Sequence, residues 1–174
     1  PGENPISSDD AIQARAEQIL ASMTLDEKIG QMILARCPVL NAAKDLERYH
    51  LSGYILFAKD FRNRTVKDVQ TLFSTWQRNA KIGVFLAVDE EGGTVTRISR
   101  YPAFRSQAFQ SPQALYAEGG MERITADTLE KCELLRLLGI NLNFAPVVDV
   151  CQDRSAFIYA RSMGGDVELV SEFA

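Results

Sequence analysis

Two stretches of this chain are apolar without a break and without the alternation of a half-buried strand: Tyr54-Ile55-Leu56-Phe57-Ala58 and Gly83-Val84-Phe85-Leu86-Ala87-Val88. A short run that is apolar on both faces is what a strand carries when a parallel sheet is covered on both sides. Gln31 to Arg36 is a candidate first strand, and Ile140 to Asp149 reads as a fourth strand with its exit loop.

Helical spacing fills the intervals. Ile12, Ala16, Ile19, Leu20 and Met23 recur every three or four residues, with Ser8 or Asp9 as N-cap. Thr24-Leu25-Asp26-Glu27 fits a capping box, in which hydroxyl and carboxylate each satisfy a free backbone N–H. Ala42 to Tyr49 is a short helix, and Thr65 caps another that runs to about Ala80. A long helix from about Glu122 to Leu138 shows Ile124, Thr128, Leu129, Cys132, Leu135 and Leu138 on its apolar side, with Gly139 as C-terminal cap. The last helix starts near Asp166.

Strand and helix alternate four times, which predicts right-handed βαβ units, a parallel sheet and an α/β fold. Four units fit an open doubly wound sheet or half of an eight-stranded barrel, and the pattern alone leaves both open. Residues 1–8 read as a polar tail or linker and 9–174 as one domain. No secretory signal pattern is present, although the chain opens on Pro1 rather than Met.

In either architecture ligands gather at the carboxyl ends of the strands. The polar residues there are Arg36, Lys59-Asp60, Asp89-Glu90-Glu91-Gly92-Gly93, and Asn143 through Asp149. The third group is the most informative. Three adjacent carboxylates repel and need cationic or hydrogen-bond partners. The glycines permit a sharp turn or a close approach of backbone to ligand. A carboxylate so placed can accept hydrogen bonds from vicinal sugar hydroxyls, and Arg97 can donate in a planar fork. The bland alternative, a solvated acidic turn, weighs about as much on chemistry alone.

Other classes of function find little support. A net charge of -4 with no basic stripe argues against nucleic-acid binding. Cys37, Cys132 and Cys151, with His50 the single histidine, lack zinc spacing and suggest no disulfide framework. Consecutive acids cannot all face one ion, so no metal is expected. No apolar run approaches the ~20 residues of a membrane span.

Asp89-Glu90-Glu91-Gly92-Gly93-Thr94-Val95-Thr96-Arg97 resembles the D-x-E-G-G-x-V-x-R signature of family-3 glycoside hydrolases, especially the bacterial β-N-acetylhexosaminidases. The segments Gly139 to Val150, Phe157 to Asp166 and Leu25 to Met32 are similar to further elements of that family, so the resemblance covers about residues 11–174 in order. It implies the N-terminal half of a (β/α)8 barrel of the TIM type, about four βα units, and no cofactor. It also implies that Asp89 accepts from sugar hydroxyls, that Arg97 donates to them and that Arg161 reaches in from the loop after the fourth strand. Asp149 is expected to order that loop, and His50, at the amino end of a strand, to be structural.

Thr94 and Met163 depart from the Arg and Phe of many relatives. The family's K-H-F-P-G segment, loop acid/base and nucleophilic aspartate have no match in these residues. The resemblance thus implies a retaining exo-glycosidase acting on terminal N-acetylglucosamine, for which this chain alone supplies sugar binding but no catalytic residue. The alternatives are a non-catalytic carbohydrate-binding or scaffold module, a β-glucosidase-type relative, or an assembly in which a second barrel half completes the site. Half a barrel exposes strand edges and apolar surface, so self-association is expected. A bacterial cytoplasmic and a cell-surface or extracellular location both remain open.

Overall fold

The computed structural model describes residues 8–174. The expected tail lies outside them apart from Ser8, which opens helix α1 (Ser8–Ser22). The sheet contains β1 (Leu34–Arg36), β2 (Gly53–Leu56), β3 (Phe85–Val88) and β4 (Leu142–Asn143), all parallel and in the order β1-β2-β3-β4. Sequential order with no reversal is the barrel arrangement; a doubly wound sheet would switch direction. This resolves the alternative that the sequence pattern leaves open.

Helix α2 (Leu25–Gln31) precedes β1, and α3 (Ala42–Tyr49) links β1 to β2. A short α4 (Ala58–Phe61) and α5 (Val66–Asn79) link β2 to β3; α6 (Pro112–Leu138) leads to β4, and α7 (Val167–Phe173) follows it. The expected capping box at Thr24 forms, and Thr65 caps its helix through a second one. Thr24 accepts from the Glu27 N–H at 3.2 Å and Glu27 from the Thr24 N–H at 2.8 Å, and Thr65 and Asp68 repeat the geometry at α5. Each cap stabilises its helix by about 1 kcal/mol.

Strand alternation sorts the side chains onto two faces. Tyr54, Leu56, Leu86 and Val88 pack outward against Phe61, Val69, Phe73 and Trp76 and the end of α6, forming the main core. Tyr54 and Trp76 meet edge to face at 5.6 Å, and the Tyr54 hydroxyl donates to the Ala42 carbonyl at 2.9 Å. The opposite face carries the register rows Leu34-Gly53-Phe85 and Arg36-Ile55-Ala87-Leu142, the layers of a barrel interior. Phe85 is half exposed there.

The structure corrects several expectations. Gln31 belongs to α2, and Ala58 begins α4 rather than ending a strand. Helix α6 starts ten residues earlier than the spacing suggests, at Pro112 behind its Ser111 N-cap; Gly119 and Gly120, both non-helical, separate this first segment from the long one. On the long segment the buried row includes Asp127 and Lys131, while Leu129, Thr128 and Cys132 are exposed. Two charges take core positions because they pair with each other at 3.5 Å. β4 is two residues long because side chains replace its ladder. Asn141 Oδ1 accepts from the Leu86 N–H at 2.8 Å and its Nδ2 donates to the Val84 carbonyl at 3.0 Å; Asn143 treats Glu90 in the same way.

Cys37 sits in the main core, where burial pushes its thiol up to about 12, whereas Cys132 is exposed. Iodoacetamide at pH 8 should therefore label Cys132 and spare Cys37 in the native state, because the thiolate is the reacting species. Peptide mass mapping checks this, and equal labelling would place Cys37 outside the core.

Candidate functional site

The three acids that follow β3 diverge. Glu90 turns inward and is fully buried. Its Oε2 accepts the backbone N–H groups of Arg97 and Ile98, both at 2.7 Å, and its Oε1 accepts the Ser99 hydroxyl at 2.5 Å and the Ser99 N–H at 3.4 Å. A buried carboxylate with so many donors is the hub on which the chain from 97 to 99 is hung.

Glu91 turns to the loop after β4. Arg161, in a 3-10 turn (Tyr159–Arg161), grips its carboxylate in a two-pronged fork, Nε to Oε2 at 2.8 Å and Nη2 to Oε1 at 2.7 Å. That fork raises the pKa of Arg161 above its ordinary value, and the nearby charges of Asp89 and Asp149 add to the effect. Beneath it, Lys131 donates to the Glu91 carbonyl at 3.1 Å. Asp127, paired with Lys131, leaves Oδ2 buried without a hydrogen bond.

Asp89 alone looks toward the open rim. Arg97 Nη2 donates to its Oδ2 at 3.2 Å, and both side chains keep about a fifth of their surface exposed. The Arg97 guanidinium lies 5.4 Å from the centre of the Phe57 ring, and its Nε is buried without a partner. The pair presents one carboxylate and one guanidinium side by side, the complement of a polyhydroxyl ligand.

The glycines shape the turn between these groups. Glu91 and Gly92 N–H both donate to the Val95 carbonyl at 3.1 Å, and Gly93 N–H donates to the Phe109 carbonyl at 2.8 Å. Gly92 has φ +104, and a Cβ there would lie 2.1 Å from the Gln110 carbonyl oxygen. The close approach is thus to the protein's own strap, residues 109–111, which continues into α6. Gln113 on the first segment of α6 then donates to the carbonyls of Tyr159 at 2.7 Å and Ser162 at 3.0 Å.

The structure therefore brings Asp89 and Arg97 together and commits Arg161 to Glu91, with its Nη1 outside the fork. Asp149 is exposed and makes no hydrogen bond among the described residues; its charge acts on Arg161, and the Cys151 N–H donates to the Gly164 carbonyl at 2.9 Å across the same loop. Met163 fills an apolar position beside Leu115, Ile124 and Val170. Thr94 is exposed at the tip of the turn. His50 ends α3 on the amino side of β2, where its carbonyl accepts from Gln31 Nε2 at 2.8 Å. Lys131, the burial of Glu90 and the bonds between Asn143 and the Glu90 backbone escape a reading based on apolar spacing; the asparagines within an otherwise apolar fourth strand are the available signal.

Consecutive parallel βα units with a carboxylate–guanidinium pair at their carboxyl rim define the first part of a (β/α)8-barrel protein. The model of the glycosyl hydrolase family 3 N terminal domain matches residues 24–174, and the chain belongs to that family. It is 36% identical over 108 residues to β-hexosaminidase A of Pseudoalteromonas piscicida, a match covering 60% of this chain and 18% of that protein. It is 33% identical over 132 residues to β-hexosaminidase of Xanthomonas campestris pv. campestris (strain B100), covering 74% of this chain and 38% of that one. The chain thus spans well under half the length of these curated relatives. Among solved structures, the family-3 β-N-acetylglucosaminidase of Paenibacillus sp. str. FPU-7 superimposes with a TM-score of 0.76 at 29% identity, over 87% of this chain and 30% of that one.

Proposed function

We propose that this chain forms the sugar-recognition part of a retaining β-N-acetylhexosaminidase that removes terminal N-acetylglucosamine from cell-wall or related glycans. The observation that carries this reading is the Asp89–Arg97 pair, held at 3.2 Å on the carboxyl rim of β3 within a family-3 fold. Asp89 accepts from sugar hydroxyls and Arg97 donates to them. Arg161 contributes through the nitrogen that Glu91 leaves free. The reaction itself needs a nucleophile that forms a glycosyl-enzyme and an acid/base that assists departure and activates water. Neither role falls to Asp89, Arg97 or Arg161, and binding to remote hydroxyls does not replace them.

The test compares this chain with one extended to the natural stop codon on a chromogenic N-acetylglucosaminide. Turnover by the longer chain only, abolished in both Asp89→Ala and Arg97→Gln, supports the reading. Turnover by the short chain, with contamination excluded, overturns the assignment of the catalytic groups. In a direct titration with N-acetylglucosamine, Asp89→Ala should weaken binding by roughly 10–100-fold, the weight of one or two charge-assisted hydrogen bonds. Absence of turnover in both chains, with binding retained, would favour a non-catalytic carbohydrate-binding module.

The 174-residue chain is also expected to self-associate. Among the described residues β1 and β4 each pair on one side only, and the uncovered sheet face leaves Phe85 and Phe144 about half exposed. Sedimentation velocity checks this; a monodisperse monomer that unfolds cooperatively would contradict it.

A further inference from the structure

Asp127 and Lys131 occupy successive turns of the buried row of α6, between Ile124 and Leu135, where apolar residues would make a core. Asp127 is 1% exposed and Lys131 9%, and their charges meet at 3.5 Å. An ion pair so buried gains little net stability over an apolar pair of similar volume, because desolvation cancels most of the attraction. What it does supply is direction. Lys131 Nζ donates to the Glu91 carbonyl at 3.1 Å and lies 5.2 Å from the centre of the Phe109 ring.

Both peptide groups that flank the Glu91 Cα are thereby held. The Glu91 N–H donates to the Val95 carbonyl at 3.1 Å. The Glu91–Gly92 peptide is held at its N–H by the same carbonyl, also at 3.1 Å, and at its oxygen by Lys131. A glycine on the far side leaves that peptide sterically free to tilt, and the bond from Lys131 opposes the tilt. With both planes fixed, the Cα–Cβ bond of Glu91 has one direction, and its carboxylate meets Arg161 in the two-pronged fork at 2.7 and 2.8 Å. The plane of that fork sets where Arg161 Nη1 points.

We propose that Lys131, held by Asp127, is a positioning residue for the sugar site: it orients Glu91 from beneath, and through the Glu91 fork it aims Arg161 at the sugar. The inference rests on the sugar-binding reading above and extends it to a buried pair that touches no sugar itself.

Two readouts on the 174-residue chain test it. The first needs no sugar: the Nε–H signal of Arg161 in NMR, assigned by its loss in Arg161→Lys. A hydrogen-bonded N–H exchanges only when its bond opens, so exchange should be about tenfold faster in Lys131→Met than in the wild type. The second is titration with N-acetylglucosamine, in which Lys131→Met should bind about five- to tenfold more weakly, up to the worth of one charge-assisted hydrogen bond. In the Arg161→Lys background, which keeps a charge for Glu91 but has no second nitrogen for the sugar, the same substitution should change affinity by less than about twofold. Lys131→Met also strands the buried charge of Asp127 and lowers stability. The double variant Asp127→Asn/Lys131→Met removes both charges; its urea midpoint should return toward that of the wild type, while the weaker binding and faster Arg161 exchange persist. Wild-type affinity or wild-type Arg161 exchange in the double variant overturns the proposal and leaves the sugar site intact, as does an undiminished effect of Lys131→Met in the Arg161→Lys background. A wild type that binds no sugar overturns the sugar-binding reading itself, and this inference with it.

Discussion

Replacing Glu90 by Ala is expected to remove about 3–5 kcal/mol of folding stability, enough to unfold a marginal domain at ordinary temperature. Glu90 is fully buried and gathers three backbone N–H groups and one hydroxyl. With the side chain gone these donors face a cavity that offers no acceptor, and each buried unsatisfied group costs about 1–3 kcal/mol. Release of the buried negative charge offsets part of that loss, so the total falls short of the sum. Glu90→Gln discriminates the cause. Its single oxygen can still take the Arg97 and Ile98 N–H groups, and its amide can turn to the Ser99 oxygen, so a loss of only about 1–2 kcal/mol is expected. Urea unfolding of the three proteins gives the order. An Ala variant as stable as the wild type would mean that the 97–99 backbone finds other acceptors.

The second large effect is at Gly92. Its φ of +104 is a conformation that L side chains rarely adopt, and the oxygen that a Cβ would meet at 2.1 Å belongs to the Gln110 backbone. The backbone cannot retreat cheaply, because the next residue's N–H is bonded to the Phe109 carbonyl at 2.8 Å. Gly92→Ala is expected to lose about 3 kcal/mol, from positive-φ strain of ~1–2 and overpacking of a similar size. Gly93→Ala should be milder. Its φ of +60 lies in the ordinary left-handed region, and the nearest atom, the Ser111 Cβ, is 2.8 Å away rather than 2.1 Å. Denaturant midpoints at constant m-value measure both. A reversed order would show that the strap from 109 to 111 moves freely.

These positions also show what could be read from residues alone. Strand and helix order was legible because its signals are local: unbroken apolar runs at 54–58 and 83–88, a capping box at Thr24 and a capping threonine at Thr65. The rim position of the candidate site was legible because in parallel βα folds the polar residue after an apolar run stands at the rim. Pairing was not. Nothing in three consecutive acids tells which one is buried, which one is gripped by an arginine 70 residues away and which one stays open. The buried Asp127 and Lys131 broke the apolar rhythm of α6, and side-chain hydrogen bonds from Asn141 and Asn143 shortened a strand that looked longer. In each case a polar group found its partner at long range, where periodicity carries no information.

The bond from Gly93 to Phe109, and the pair from Gln113 to Tyr159 and Ser162, have a dynamic consequence. They tie the turn after β3, the first segment of α6 and the loop after β4 into one ring of contacts, which Lys131 fastens to the long segment beyond the break at Gly119 and Gly120. In amide exchange the three should open as a single cooperative unit, with one common free energy. The groups contributed by two separate βα loops therefore keep their mutual spacing through local fluctuations, and the rim breathes as a whole or not at all.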